Sequence, residues 1–205
     1  KKNEPKADFF VGSADDIKFI KSESVDKIIS VLAIQNIENV AGTFKEAARV
    51  LKKDGKMYLV LNHPAFRVPK WSEWQMGNKQ LTINNEQKRT EGNEEEGQEE
   101  IQWRRVARYL SELRNKIQMH PSASRSTLRV SDSMSSGRSP AKDEYTISFH
   151  RPLQYYFKAL RKAGFLVSGL EEWSGHKKSV GKHAEAENRP RIEIPLFLYL
   201  EEVKQ

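Results

Sequence analysis

Apolar positions along this chain fall into short runs of two kinds. Residues 9–12 (FFVG) and 25–34 (VDKIISVLAI) read as short buried strands. The second is β-branched and nearly all apolar, the composition of a strand covered on both faces. From Val40 the spacing changes: Val40, Phe44, Ala47, Ala48 and Leu51 recur on one helical face. Lys52 and Lys53 then suit the last turn of a helix, where cations complement its dipole, and Gly55 is placed to end it. KMYLVLN, residues 56–62, is a further buried strand. Strand, strand, helix, strand predicts an α/β protein with a largely parallel sheet.

Beyond Pro69 the pattern breaks, and three regions follow: a core over 1–70, a cap or insertion over 71–144, and a C-terminal part over 145–205. Residues 71–100 are polar and read as a loop with a disordered acidic tract at 94–100. IQWRRVARYLSELRNKI predicts one cap helix, with Trp103, Val106, Leu110 and Leu113 near one stripe. The Ser-rich stretch that follows reads as another disordered loop. Order is expected again at 145–149 as an extended piece. Pro152 then opens a helix whose face is Leu153, Tyr156, Phe157 and Leu160, and Gly164 closes it. Residues 165–173 and 192–203 predict two strands joined by a long polar loop, which allows antiparallel pairing.

Composition narrows the chemistry. The 205 residues are 37% hydrophobic, enough for one real core, and contain no cysteine. Disulfides, thiolate metal sites and thiol nucleophiles are thereby excluded, and a reducing cytoplasm is the default expectation. No apolar run reaches the length of a bilayer span. The formal charge of +7 is interspersed with acids along the chain, which favours a solvated mixed surface over a nucleic-acid face. His120, His176 and His183 stand in polar loops without ligand spacing, so no metal is expected.

The GSADD turn at residues 12–16 carries the most specific chemistry. It leaves the end of an expected strand, where α/β sheets bind ligands. Gly12 permits close approach of a flat ligand. A backbone N–H beside the Ser13 hydroxyl or the Asp15 carboxylate offers adenine a donor and an acceptor together. The competing reading is an ordinary turn in which Ser13 or Asp15 caps the next segment.

Order and spacing of motifs add to this. GSADDIKF, SVDKIISVLAIQNIEN and FKEAARVLKKDGKMYLVLN together resemble the second half of a class I S-adenosylmethionine-dependent methyltransferase, with Gly12, Ala14, Phe19, Asp26, Arg49, Val50, Leu51, Lys52 and Gly55 at the matching places. NHPAFR, SFHRPLQYYFKALRKAGF and EEW resemble a branch of small-molecule methyltransferases. The resemblance implies a Rossmann-like sheet of order 3-2-1-4-5-7-6 with strand seven antiparallel. It also implies that strands one and two, with their glycine-rich loop and ribose-binding acid, are missing. Strand four then has a bare edge, and the chain as given is a C-terminal part, inactive alone. Ser13 stands where the family has aspartate and Lys18 where it has proline.

By the same resemblance the cofactor is S-adenosylmethionine, held by Gly12, Ser13, Ala14 and Asp15 and, at the end of strand four, by Ser30, Leu32, Ala33 and Gln35. The acceptor is a small molecule. His63 and His150 are the candidate bases, or binders of a substrate acid, unless each merely shapes a turn before proline. Asn62, Trp74, Arg151 and Tyr155 are candidate substrate contacts, with Trp71 and Tyr156 as further pocket aromatics unless they belong to the core. Two other functions remain open: an inactive module that binds a partner through its cap, and an RNA-binding or RNA-methylating protein using WRRVARYLSELRNK and HKKSVGKH.

Overall fold

The computed structural model describes residues 7–78, 100–118, 145–175, 178, 180 and 184–205. The acidic tract up to residue 99, the Ser-rich stretch and His120, His176 and His183 lie outside the described residues.

The chain runs through β1 (Val25–Val31), a 3-10 turn (Ile34–Asn36), α1 (Val40–Val50), β2 (Leu51–Asn62), β3 (Ser72–Asn78), β4 (Glu100–Val106), β5 (Leu113–Gln118), β6 (Tyr145–His150), α2 (Leu153–Lys162), β7 (Phe165–Trp173), α3 (Ala184–Glu193) and β8 (Phe197–Lys204). The main sheet has the order β1-β2-β8-β7. β1 and β2 are parallel, while β8 is antiparallel to both β2 and β7. This is the 4-5-7-6 portion of the expected order, with the penultimate position taken by the antiparallel strand. β1 is the edge of that sheet among the described residues.

Alternation decides which way each strand faces. On β2, Gly55, Met57, Leu59 and Leu61 are buried in succession. Leu198 and Leu200 of β8 stand opposite Leu61 and Leu59, and Phe44, Val40, Tyr156 and Leu160 of the two helices close the core over them. The other sheet face is open at its edge: Ile29 and Val31 of β1 are 72% and 59% exposed. The expectation that residues 25–34 are buried on both faces therefore fails on one.

Other expectations are corrected as well. Residues 9–12 form no strand; Phe9 and Val11 are almost fully exposed, and among the described residues no strand pairs with them. Instead the Phe10 ring stacks on Phe19. α1 ends at Val50, so Arg49 is the cation of its last turn and Lys52 and Lys53 belong to β2. Gly55 lies inside β2, where a Cβ would stand 2.8 Å from the Lys52 carbonyl oxygen. The register slips there, from Val25 opposite Leu51 to Lys27 opposite Lys56, and Asp54 takes φ 59 to absorb the extra residues.

The expected cap helix is absent. Its residues form β4, which pairs with β3, and β5, which pairs with β6. Among the described residues the insertion thus contributes β3, β4 and β5, and residues 72–78 are a strand rather than loop. Near the end, 184–193 is helical where a loop was expected, and the last strand starts at Phe197. α2 follows Pro152 and stops before Gly164 at φ 89, as its sequence predicts.

Two cavities at the strand tips

β1 and β2 run parallel, so their C-terminal tips lie on one side of the sheet. The chain leaves β1 through Leu32, at φ 51, and enters the 3-10 turn, which buried Ile34 pins to the core. β6 packs against that turn from the insertion side. Two cavities open around it, and Asn36 lines both.

The first cavity, about 570 Å³, is lined by Ser13, Ala14 and Asp15 on one side and Asn36, Ile37, Glu38 and Asn39 on the other. Asn39 connects the two walls. Its Oδ1 accepts the Gly42 N–H at 3.0 Å, capping α1, and its Nδ2 donates to Asp15 Oδ2 at 2.7 Å. The Ser13 hydroxyl donates to Asp15 Oδ1. These bonds, Ser13 first and then Asn39, hold the Asp15 carboxyl below its ordinary range. Asp15 is consequently an ionised acceptor, and the α1 cap is Asn39 rather than Ser13 or Asp15.

A clamp behind this turn fixes it to α1. Arg49 donates to the carbonyls of Ile17 and Ile20 at 3.1 and 3.0 Å and pairs with Glu46 at 2.8 Å. Glu46 in turn accepts the Ile17 N–H at 3.1 Å.

The second cavity, about 330 Å³, lies between the strand tips and the insertion. Gln35, Asn62, Arg67, Lys70, Arg104 and Ser148 are among its walls, and among the described residues no acidic side chain lines it. Arg104 donates from Nε to the Phe66 carbonyl at 2.5 Å and from Nη2 to Ser72 at 3.0 Å. Burial presses Arg67 below the usual arginine value; burial and then the Arg67 charge do the same to Arg104. A neck at the inner end adds His150, Arg151 and Tyr156. Arg151 is only 5% exposed; its Nη2 donates to the Glu38 carbonyl at 2.5 Å. Burial pushes the Tyr156 hydroxyl beside it up to about 12.

The two histidines are placed differently. His63 is buried, with Nε2 2.7 Å from Glu172 Oε1 and Nδ1 accepting the Ala65 N–H at 3.2 Å. Both ring nitrogens are therefore engaged, Nε2 tying the end of β2 to β7 and Nδ1 bonding within the turn that follows. His150 Nε2 lies 2.8 Å from the Tyr109 carbonyl, to which it donates, leaving Nδ1 as the basic atom. Burial lowers its pKa, so the ring is neutral near pH 7.

Of the other expected site residues, Ser13, Ala14 and Asp15 share the first cavity, while Gln35 and Asn62 line the second. Gly12 is outside both linings and sits under the Phe19 ring. Ser30 is opposite Leu59 in register, and the Leu32 carbonyl accepts from Gln35 Nε2 at 2.6 Å, with Ala33 opening the 3-10 turn. Trp74 lies beneath the Arg104 guanidinium, and Tyr155 beneath that of Arg151. Sequence reasoning missed Asn36, Glu38 and Asn39, although the Asn-rich turn after an apolar strand is a signal for them. It also missed Arg67, Lys70 and Arg104. Among the described residues no group of three His, Asp or Glu side chains is placed to hold a metal, and no helix is long and apolar enough to cross a membrane.

Comparison with known proteins agrees with this architecture. Residues 1–59 match the family model described as a methyltransferase domain. A structure from Listeria monocytogenes, assigned as an S-adenosylmethionine-dependent methyltransferase, superposes with TM-score 0.60 at 18% identity, covering 100% of this chain and 72% of that one. An S-adenosylmethionine-dependent methyltransferase from Mesorhizobium loti gives TM-score 0.55 at 17% identity, covering 94% of this chain and 68% of that one. No curated protein matches the chain. The fold is that of the class I methyltransferases.

Proposed function

We propose that this chain, whose first 59 residues match a methyltransferase-domain model and whose fold is that of the class I methyltransferases, serves the transfer of a methyl group from S-adenosylmethionine to a small molecule. The carrying observation is the pair of cavities at the strand tips with Asn36 between them. The donor occupies the first cavity, where ionised Asp15 and its neighbouring backbone form the wall. The acceptor enters the second.

The reaction is a displacement. A lone pair on the acceptor attacks the methyl carbon, the carbon–sulfur bond breaks, and the sulfur leaves as a neutral thioether. The donor is already activated, so alignment is the protein's main contribution, worth roughly 7–11 kcal/mol in near-attack geometry. Where the acceptor must lose a proton, His150 Nδ1 is the candidate base, because that ring is neutral and lines the neck of the acceptor cavity. His63 is a clasp between β2 and β7.

Calorimetry with S-adenosylhomocysteine tests the donor site. Saturable binding is expected, and Asp15→Ala should weaken it about tenfold by removing one charged hydrogen-bond acceptor; absence of binding to the parent chain would overturn the assignment. For the base, His150→Ala should lower kcat by about a hundredfold with a proton-bearing acceptor. An unchanged kcat would remove His150 from the chemistry.

A further inference from the structure

We infer that the second cavity binds a carboxylate or phosphate group, and that the methyl acceptor carries one. This rests on the acceptor assignment above and narrows it to a chemical class.

Arg67 and Arg104 line the cavity, and Arg67 and Arg151 line its neck. Arg67 lies over the Phe197 ring, Arg104 over Trp74, and Arg151 over both Phe149 and Tyr155. Aromatic faces thus orient all three, and carbonyls hold Arg104 and Arg151 as well. Among the described residues none of them has a carboxylate partner. Arg151 Nη1 is buried with no hydrogen-bond partner at all. A buried cation without a counterion is costly, and two like charges beside each other more so. Burial has lowered the affinity of Arg67 and Arg104 for their protons, yet arginine does not release them near neutrality. A ligand oxyanion in the cavity removes that cost for Arg67 and Arg104, which line it. The planar guanidinium fork matches the paired oxygens of a carboxylate or phosphate.

The insertion strands point the same way. On β4, Gln102 is buried while Trp103 is 40% exposed; on β6, Ser148 and His150 are the buried positions. Their inward faces are polar, as suits the wall of a binding site and not a core. About 330 Å³ accommodates one small group, and Asn62, Ser72, Thr146 and Ser148 add neutral hydrogen-bonding partners around it.

The full chain is titrated calorimetrically with phenyl phosphate, with benzoate and with benzyl alcohol, at constant ionic strength set by chloride. At least one oxyanion is expected to bind saturably while the alcohol does not. Arg67→Met and Arg104→Met should each weaken that binding about tenfold. Should a variant fail to fold, phenylglyoxal modification of the parent chain gives an independent readout: the bound oxyanion should slow reaction at Arg67 and Arg104 severalfold. Neither oxyanion binding, or binding that survives both substitutions, or unprotected arginines, would overturn the inference. S-adenosylhomocysteine is titrated in parallel. If it binds and the oxyanions do not, only the acceptor class fails; the converse would leave the anion site standing and remove the methyltransferase reading.

Discussion

Replacing Glu202 by glutamine is expected to raise the melting temperature at pH 9 by about 10 °C or more and to change it little at pH 5. Glu202 sits on the core face of β8 with no exposed surface, opposite Met57 in register. Neither carboxyl oxygen has a hydrogen-bond partner. The nearest cation along the strand, Lys204, is taken: its Nζ donates to the Leu51 carbonyl at 2.7 Å and to Glu23 at 3.3 Å. Burial first, and the adjacent Glu201 charge second, push the Glu202 pKa up to about 8. The folded state therefore holds this proton more tightly than the unfolded chain does. Stability is complete below the unfolded value near 4.5, declines as pH rises from there, and reaches its floor above about 8. The loss across that window is on the order of 5 kcal/mol. Glutamine keeps the shape and stays neutral, so its melting curve should lack this component. Thermal melts of both proteins at pH 5 and pH 9 measure it. Parallel pH profiles would mean that the carboxylate finds a partner when it ionises.

How much of this architecture a reader of the sequence can see depends on which way its polar residues face. β2 and α2 are legible because their buried apolar residues, Met57, Leu59 and Leu61 on one and Tyr156 and Leu160 on the other, recur at strand and helical spacing. The order of the main sheet follows from the resemblance and holds. The insertion is illegible for the opposite reason. In β4 the inward positions are Gln102 and Arg104, while Trp103 lies outward. A reader who assigns apolar residues to the inside then finds Trp103, Val106 and Leu110 at helical spacing and predicts a helix. β6 is legible as an extended piece over 145–149, but its pairing with β5 is not, and its Thr146 and Ser148 line a cavity. The acidic turn was visible as chemistry, but its partner wall was not. Asn36 and Asn39 matter through one side-chain bond and one shared lining, and neither leaves a periodic trace. Residues 9–12 are the converse case: their composition suits a strand, but β structure requires a neighbour, which composition does not supply.

Arg49→Ala is expected to weaken S-adenosylhomocysteine binding by tenfold or more while leaving most of the fold intact. Arg49 touches neither cavity. Its guanidinium spans the Ile17 and Ile20 carbonyls, Ser22 and both oxygens of Glu46, with contacts between 2.8 and 3.2 Å. Residues 13–22 contain no helix or strand, so these bonds and the Asn39–Asp15 bond hold them against α1. Without the clamp the wall bearing Ser13, Ala14 and Asp15 must be ordered at the expense of ligand affinity. The core, which rests on Phe44, Leu59, Leu160 and Leu200, does not depend on it. Arg49→Lys should not rescue binding, because one ammonium cannot reach carbonyls three residues apart and both carboxylate oxygens together. Limited trypsin digestion gives the mechanism its own readout: cleavage after the exposed Lys18 and Lys21 should accelerate severalfold in Arg49→Ala. Weaker binding with unchanged cleavage would place the effect elsewhere, and unchanged binding with faster cleavage would show that the donor does not use this wall.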